Sequence, residues 1–329
     1  MIPLISFGLM LFLIAAALAG IEWGGAPYFF AVIVPYAAAG LFLCGVIYRI
    51  IRWGLSPVPF RIPATGGQQK SLGWIRTGGT DNPSTAAGVW GRMLLEVLLF
   101  RSLFRNMKAE RAGEALAYGS SKWLWLGALV FHWSMLAVVL RHLRFFTEPV
   151  PAPVAWLQAA DGLFETALPP VYLTDITLCA ALAYLLGRRL AVPTLRYLSL
   201  AADYLPLLLI IAIAVTGVLM RHVFRQDLNA VKALALGLVH FAPVVPKGAG
   251  ALFYLHLFLV SALAAYLPFG KLVHFAGVFL SPARNLANTT RTRRHVNPWD
   301  YPVKTHTYEE WESEFAEKLK SSGYELERK

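Results

Sequence analysis

Residues 253–275 read FYLHLFLVSALAAYLPFGKLVHF, and this stretch decides the fold class. It is long and apolar enough to cross a hydrocarbon core, which takes about 20 residues of helix. Yet it contains His256 and His274, and ionisable side chains inside a membrane are costly and usually functional. The two histidines therefore either cap the ends of an ordinary span or hold a group inside it.

The composition of the whole chain indicates a membrane protein. Of its 329 residues, 57% are hydrophobic and 15% are charged, whereas about a quarter of the residues of a soluble domain are charged. Long apolar runs lie near residues 2–20, 28–50, 123–145, 169–187, 199–220 and 251–273. We therefore predict an all-α integral membrane protein with six transmembrane helices.

The net charge of +11 reflects the membrane topology of the chain rather than a nucleic-acid partner. Most of the 30 Lys and Arg residues lie in residues 49–122, 188–196 and 271–329, which fall on one side of a six-span protein. By the positive-inside rule that side is the cytoplasm. We therefore expect a multi-pass protein of the cytoplasmic (inner) membrane, with both termini cytoplasmic, the lipid bilayer as its surroundings and no nucleic acid bound.

The chain has two cysteines, Cys44 and Cys179, each alone inside an apolar run. Iron–sulfur clusters are commonly held by four thiolates. The chain therefore cannot hold such a cluster by itself.

Two polar segments have a helical pattern. Residues 90–110 contain leucines interspersed with arginines, and the apolar run is too short to cross a membrane. This pattern is typical of an amphipathic helix at the membrane interface. In the tail, Trp311, Phe315 and Leu319 recur every four residues on one face. That face either docks on a cytoplasmic partner subunit or belongs to a solvated tail.

Four histidines form two pairs on oppositely directed spans. His132 and His142 lie about 15 Å apart along a helix axis in the third span, ALVFHWSMLAVVLRHLRFF. His256 and His274 are about 27 Å apart, and eighteen residues make five whole turns, so both project from one face. Because the third span runs outward and the sixth inward, His132 pairs with His274 near the cytoplasm and His142 with His256 near the outside.

Paired imidazoles on facing helices favour two b-type haems. A haem iron takes two axial ligands, and helical bundles build cofactor sites from inward side chains. Zinc would take three or four ligands around one point, and a proton relay needs no such pairing. We expect a haem-binding helical bundle with metal ligands His132, His274, His142 and His256. Tilt and a kink at Pro268 would absorb the unequal axial separations.

Several polar residues near the outer pair are further candidates. Arg141, Arg144 and Arg221 break the positive-inside pattern, and the haem propionates are anions that arginine binds well. His222 follows Arg221 at the outer end of the fifth span. It either snorkels to the interface or faces the outer haem, where a quinol loses protons. These four residues are therefore predicted cofactor-binding residues, with an ordinary interfacial role as the alternative.

The histidine-bearing spans resemble a known family. The spacing of His132 and His142, LHL around His256 and LPFGKLVHF around His274 are similar to the gamma subunit of respiratory nitrate reductase. Over roughly residues 28–285 the chain more closely resembles the DsrM family, the cytochrome b subunits of DsrMKJOP complexes associated with sulfite reduction. The extra span before residue 28 and the long loop at 51–121 favour the DsrM family.

The resemblance implies an electron-transfer and quinol-oxidising subunit. The four matching histidines would ligate two b haems, and electrons would pass between menaquinol or menaquinone and a cytoplasmic iron–sulfur subunit related to heterodisulfide reductases (DsrK-like). Further membrane and periplasmic subunits of a DsrMKJOP-like complex would be partners, and catalysis on the sulfur substrate would belong to another chain. The implied regions are an extra helix with an outer loop at 1–27, a cytochrome b domain at 28–280 with a cytoplasmic loop at 51–121, and a cytoplasmic tail at 281–329.

Two alternatives stay open. One is a haem-free transporter or membrane scaffold whose histidines transfer protons, although the sequence lacks the matched broken helices typical of transporter repeats. The other is the gamma subunit of a nitrate reductase. A b-type absorption band would exclude the first, and the identity of the co-purifying subunits would decide on the second.

Overall fold

The computed structural model is mostly helical and describes residues 2–25, 27–56, 70, 72–76, 78–162, 171–289, 292–293 and 304–327. Its α-helices are, in chain order, α1 (Ile2–Glu22), α2 (Val34–Gly54), α3 (Ala86–Leu99), α4 (Arg101–Arg105), α5 (Lys122–His142), α6 (Ala152–Asp161), α7 (Leu173–Ala191), α8 (Pro193–Leu198), α9 (Ala201–His222), α10 (Leu228–Val239), α11 (Ala251–Tyr266), α12 (His274–Gly277), α13 (Pro282–Asn285) and α14 (Tyr308–Ser321). The strands are β1 (Met107–Ala112) and β2 (Ala115–Ser120). Shorter turns are a π-helical turn at Phe29–Ile33 and 3-10 turns at Leu143–Phe145, Leu267–Phe269 and Lys271–Val273.

Five helical segments in the described part of the chain are long and apolar enough to cross a membrane. They are Ile2–Glu22, Phe29–Gly54, Lys122–Phe145, Ala201–His222 and Ala251–Phe269. The chain is therefore a mostly helical, multi-pass membrane protein.

The expected fourth span corresponds to α7, which differs from the other five by its charges. The helix has 19 residues, with Asp175 in its first turn and Arg188 and Arg189 in its last. It starts at Leu173, and residues 169 and 170 of the expected run lie outside the described residues. α7 is long enough to cross a membrane, but its charged residues distinguish it from the five apolar helices. That α7 is a transmembrane span therefore stays a prediction.

The sixth span is not one continuous helix. The expectation that five regular turns place His256 and His274 on one face is therefore wrong. α11 ends at Tyr266, a 3-10 turn follows, Gly270 is extended, and α12 begins at His274. Pro268 lacks an N–H and its ring clashes with the preceding turn, so the regular helix stops there.

The long helices pack side by side. α5 packs on α7 and α7 packs on α9, while α1, α9 and α11 pack on one another. Close approach depends on small residues, as is usual between membrane helices: a Cβ on Gly127 of α5 would lie 2.5 Å from Cδ1 of Tyr184 on α7. Among the described residues, α5 and α11, which carry three of the predicted ligands, do not pack extensively on each other.

The segment before α5 is only partly the amphipathic helix expected over residues 90–110. α3 and α4 occupy its first part, but an antiparallel β1–β2 hairpin begins at Met107. The hairpin turn contains Gly113 with a φ of +66°, a left-handed conformation that tight hairpin turns require. The expectation of helix is therefore wrong for residues 107–110, and the fold is not purely α-helical. Residues 57–69 of the same segment lie outside the described residues.

The backbone contacts divide the chain into two units. The first comprises Met1–Arg49 with Gly91–Phe279, and the second comprises Ile50–Trp90 with Leu280–Lys329. In the second unit, α14 confirms the predicted tail helix. Thr307 and Glu310 form a reciprocal capping box at its start. The rings of Trp311 and Phe315 lie 5.8 Å apart, as expected for one face.

Candidate cofactor site

The predicted inner pair lies together in the structure. His132 comes from the middle of α5 and His274 from the first residue of α12, and their ring centroids are 5.9 Å apart. Metal–imidazole bonds are about 2 Å long, so two imidazoles that share one metal ion from opposite sides have centroids about 6 Å apart. The observed spacing therefore fits a site with two axial imidazoles.

The predicted outer pair comes from α5 and α11. His142 is the last residue of α5 and His256 lies in the second turn of α11. An electrostatic effect of His142 on His256 places the two side chains in the same region, but no ring contact like that of the inner pair joins them among the described residues. His222 ends α9 and is half-buried, and among the described residues it makes no hydrogen bond or ring contact with either histidine.

Each of the four rings is oriented by a hydrogen bond at Nδ1. For three of them the partner is a backbone carbonyl three or four residues earlier, at 2.7 Å for His132, 2.7 Å for His142 and 3.0 Å for His274. A carbonyl can only accept, so Nδ1 carries the proton. The Nδ1 atom of His256 lies 2.8 Å from Oγ1 of Thr216. A neutral imidazole protonated at Nδ1 keeps the Nε2 lone pair free for a metal.

The predicted ligands fit a haem better than a metal ion held by three or four protein side chains. None of the four imidazoles is fully buried although they lie in or at the ends of apolar segments, and within the described residues none forms a hydrogen bond through Nε2. The described residues also contain no group of three or more His, Cys, Asp or Glu side chains that could hold a metal ion. Each site therefore offers two imidazoles, the axial set of a b-type haem.

Polar contacts from two other helices hold the broken segment before His274. The end of a helix leaves carbonyls without intrahelical donors, and Nε of Arg49 on α2 donates to the carbonyl of Pro268 at 3.0 Å. Nζ of Lys271 lies 2.6 Å from Oδ1 of Asp203 on α9. The carbonyl of Lys271 in turn accepts the Nδ1 hydrogen bond of His274. The position of His274 thus depends on α2 and α9.

The α3–α4 segment forms a wall beside His132. The ring of Phe100, between the two short helices, lies 4.9 Å from the His132 ring at 77°. Phe100 has a φ of +50°, which a side chain other than glycine rarely adopts. The indole N–H groups of Trp125 and Trp133 on α5 donate to the last carbonyls of α3, at 2.6 and 3.0 Å. This segment is therefore tied to the helix that carries the ligand.

The three predicted arginines gather around Tyr172, just before α7. The guanidinium carbons of Arg141 and Arg221 each lie 3.8 Å from the centroid of the Tyr172 ring. Nη1 of Arg144 donates to Oε1 of Gln158 at 2.8 Å, and the guanidinium carbon of Arg144 lies 4.7 Å from the centroid of the Phe145 ring. Together with Arg144, the two arginines on the Tyr172 ring form an electropositive cluster at the C-terminal end of α5.

Within this cluster, Arg141 has acidic partners of its own. Its Nε lies 3.1 Å from Oδ2 of Asp161, and its Nη2 lies 3.3 Å from Oδ1 of Asp175. Asp161 also accepts hydrogen bonds from the backbone N–H and the hydroxyl of Thr174. Arg141 thus has acidic partners within the cluster, to which Arg144 and Arg221 contribute two further positive charges. A role of the three arginines in cofactor binding stays a prediction.

Four residues of the site were not anticipated from the sequence: Arg49, Asp161, Asp203 and Thr216. Their one signal is a polar side chain within or beside an apolar run, as for Thr216 in LIIAIAVTGVLM. Their partners lie far along the chain. No helical spacing rule could therefore have connected them to the histidines.

Comparison with known proteins reveals a family. Residues 94–294, more than half of the chain, match the nitrate reductase gamma subunit family. The chain belongs to this family. The Hdr-like menaquinol oxidoreductase cytochrome b-like subunit of Archaeoglobus fulgidus is 44% identical over 278 residues, which cover 82% of this chain and 83% of the relative. The protein of the same name from Archaeoglobus profundus is 42% identical over 276 residues, 81% of each chain.

The family match confirms the nitrate reductase gamma resemblance seen in the histidine motifs. The matched residues 94–294 include the whole of α5 to α12, and therefore all eight predicted site residues. Membership of the narrower DsrM group stays a prediction.

Proposed function

We propose that this chain is the di-haem cytochrome b subunit of a respiratory membrane complex. It exchanges electrons between menaquinol and a cytoplasmic iron–sulfur subunit of the heterodisulfide reductase type. The observation that carries the proposal is the 5.9 Å spacing of the His132 and His274 rings, with Nδ1 of all four predicted ligands engaged in a hydrogen bond. The names of the two relatives, which describe cytochrome b-like subunits of Hdr-like menaquinol oxidoreductases, support it.

The residues of this chain hold and orient the cofactors. His132 with His274 would bind one haem, and His142 with His256 the other. When bound, the two haems would supply one-electron transfer between the two membrane faces. Backbone carbonyls and the Thr216 hydroxyl hold each imidazole in the tautomer that presents Nε2.

The arginine cluster gives the outer site a preference for anions. Arg144 and Arg221 would bind haem propionates through charge-assisted hydrogen bonds, while Arg141 ties α5 to Asp161 and Asp175. His222, next to Arg221, would face the outer haem and accept a proton released from quinol.

The proposed topology has six spans with both termini in the cytoplasm. α7 counts as a span because the charge of Asp175 is paired with Arg141. Arg188 and Arg189, at the other end of α7, would lie on the cytoplasmic side, where Lys and Arg are enriched. A periplasmic alkaline phosphatase reporter fused after Lys329 should be inactive. Activity of that reporter would invert the assignment of sides.

The electron acceptor would be a separate chain. Two lone cysteines cannot hold an iron–sulfur cluster that needs four thiolates. A DsrK-like subunit with its own clusters would therefore dock on the cytoplasmic side, accompanied by other subunits of a DsrMKJOP-like complex.

Haem reduction by a quinol tests this function. The complex is purified with its partner subunits, and a soluble naphthoquinol is added while the visible spectrum is recorded. The proposal predicts a b-type α-band that the quinol reduces. Absence of any b-type band would reject the cytochrome function in favour of a haem-free transporter or scaffold. Co-purification with a molybdenum enzyme would instead indicate a nitrate reductase subunit.

A further inference from the structure

The ligand histidine of α11 has a different hydrogen-bond partner from the other three. His132, His142 and His274 each donate from Nδ1 to a carbonyl in their own segment. The Nδ1 atom of His256 instead lies 2.8 Å from Oγ1 of Thr216, which comes from the neighbouring helix α9. Of these four acceptors, this is the one that a substitution can remove.

The contacts of Thr216 define the direction of that hydrogen bond. Its buried hydroxyl oxygen also lies 2.8 Å from the carbonyl of Ala212 and 3.0 Å from the carbonyl of Ile213. A hydroxyl has one hydrogen, and a carbonyl can only accept it. The hydrogen therefore points to the α9 backbone, and the oxygen accepts the Nδ1–H of His256.

The residue after Thr216 also lies near the ring. Gly217 has no side chain, and a Cβ there would lie 3.4 Å from Cε1 of His256, an ordinary van der Waals distance. The imidazole therefore lies close to α9, and Thr216 supplies its polar contact from a helix other than its own.

We propose that Thr216 positions His256 and tunes the haem held by His142 and His256. It does so by accepting the Nδ1 hydrogen bond of that ligand. This inference rests on the proposed cytochrome function. An acceptor on the second ring nitrogen fixes the tautomer and makes the imidazole a stronger donor to a metal. A stronger donor stabilises the oxidised iron, so loss of the acceptor raises the reduction potential of this haem.

Thr177 offers a matched control. It is a threonine of α7 whose hydroxyl lies 2.7 Å from Oγ of Ser134 on α5 and 3.1 Å from the carbonyl of Leu173. Like Thr216, it bridges two helices and bonds back to its own helix. It touches none of the four histidines, so Thr177→Val removes a comparable hydroxyl without the ligand contact.

The test compares Thr216→Val, Thr216→Ser and Thr177→Val in the full-length protein purified with its partners. Haem content, a redox titration of the b-type α-band and electron paramagnetic resonance of the oxidised haems are measured. We expect Thr216→Val to raise the potential and change the g-values of one haem, or to lose that haem. Thr216→Ser and Thr177→Val should match the wild type.

Two results would overturn the inference while leaving the cytochrome function standing. One is an unchanged pair of potentials and g-values in Thr216→Val with both haems retained. The other is the same shift or the same haem loss in Thr177→Val. A wild-type protein without any b-type haem would instead reject the proposed function itself.

Discussion

Replacement of Arg141 by Met should destabilise the protein strongly, because Arg141 belongs to a buried ion pair. The side chains of Arg141 and Asp161 are 9% and 3% exposed. Loss of one partner of such a pair leaves an uncompensated buried charge and costs about 3–5 kcal/mol. Asp161 keeps two hydrogen bonds from Thr174, so we expect the lower end, about 3 kcal/mol. The measurement is the free energy of unfolding in detergent micelles, from denaturant titration followed by circular dichroism.

An exposed ion pair of the same chain supplies the control. Lys232 pairs with Glu148, whose side chain is 64% exposed, so Lys232→Met should cost about 0–1 kcal/mol. The double variant Arg141→Met/Asp161→Asn should lose less stability than the sum of the single variants, with a coupling of about 0.5–3 kcal/mol. The reasoning is refuted if Arg141→Met costs no more than Lys232→Met, or if the effects of Arg141→Met and Asp161→Asn are simply additive.

Three further predictions concern packing and the inner site. Arg49→Gln removes a charged donor from the carbonyl of Pro268 and should lower the occupancy of the inner haem, seen as haem per chain; unchanged content would contradict this role. Gly127→Ala should destabilise the protein, because its Cβ would lie 2.5 Å from the Tyr184 ring, and Tyr184→Ala should relieve the loss in a thermal melt; no relief would exclude this clash. Trp133→Phe removes one indole hydrogen bond to the carbonyl of Leu98 on α3. It should speed limited proteolysis of residues 90–105 relative to the control Trp123→Phe, and equal rates would show that this hydrogen bond does not hold the segment.

The apolar runs predicted most of the helical fold because a membrane requires about 20 apolar residues per span. Five helices are apolar enough to meet that requirement. α7 shows the limit of the argument. Its charges resemble those of a soluble helix until Arg141, more than thirty residues earlier, is seen to pair with Asp175. Pairing over that distance leaves no trace in a local hydropathy pattern.

The proximity of His132 and His274 was predictable from span direction, but the detailed placement of His274 was not. Helical periodicity put His256 and His274 on one face of a regular helix. Pro268 and Gly270 end that helix instead, and His274 reaches His132 from a separate short helix. The supports of the broken segment, Arg49 and Asp203, come from helices distant in the chain. They could be found only once the backbone was known.

The haem content of single-histidine variants is the most direct test of the central claim. Haem per chain is measured in the purified wild type and in His142→Ala, His256→Ala and His274→Ala. The account predicts two b-type haems in the wild type and about one in each variant, with His142→Ala and His256→Ala losing the same haem and His274→Ala the other. Unchanged haem in these variants, or different haems lost in His142→Ala and His256→Ala, would contradict it.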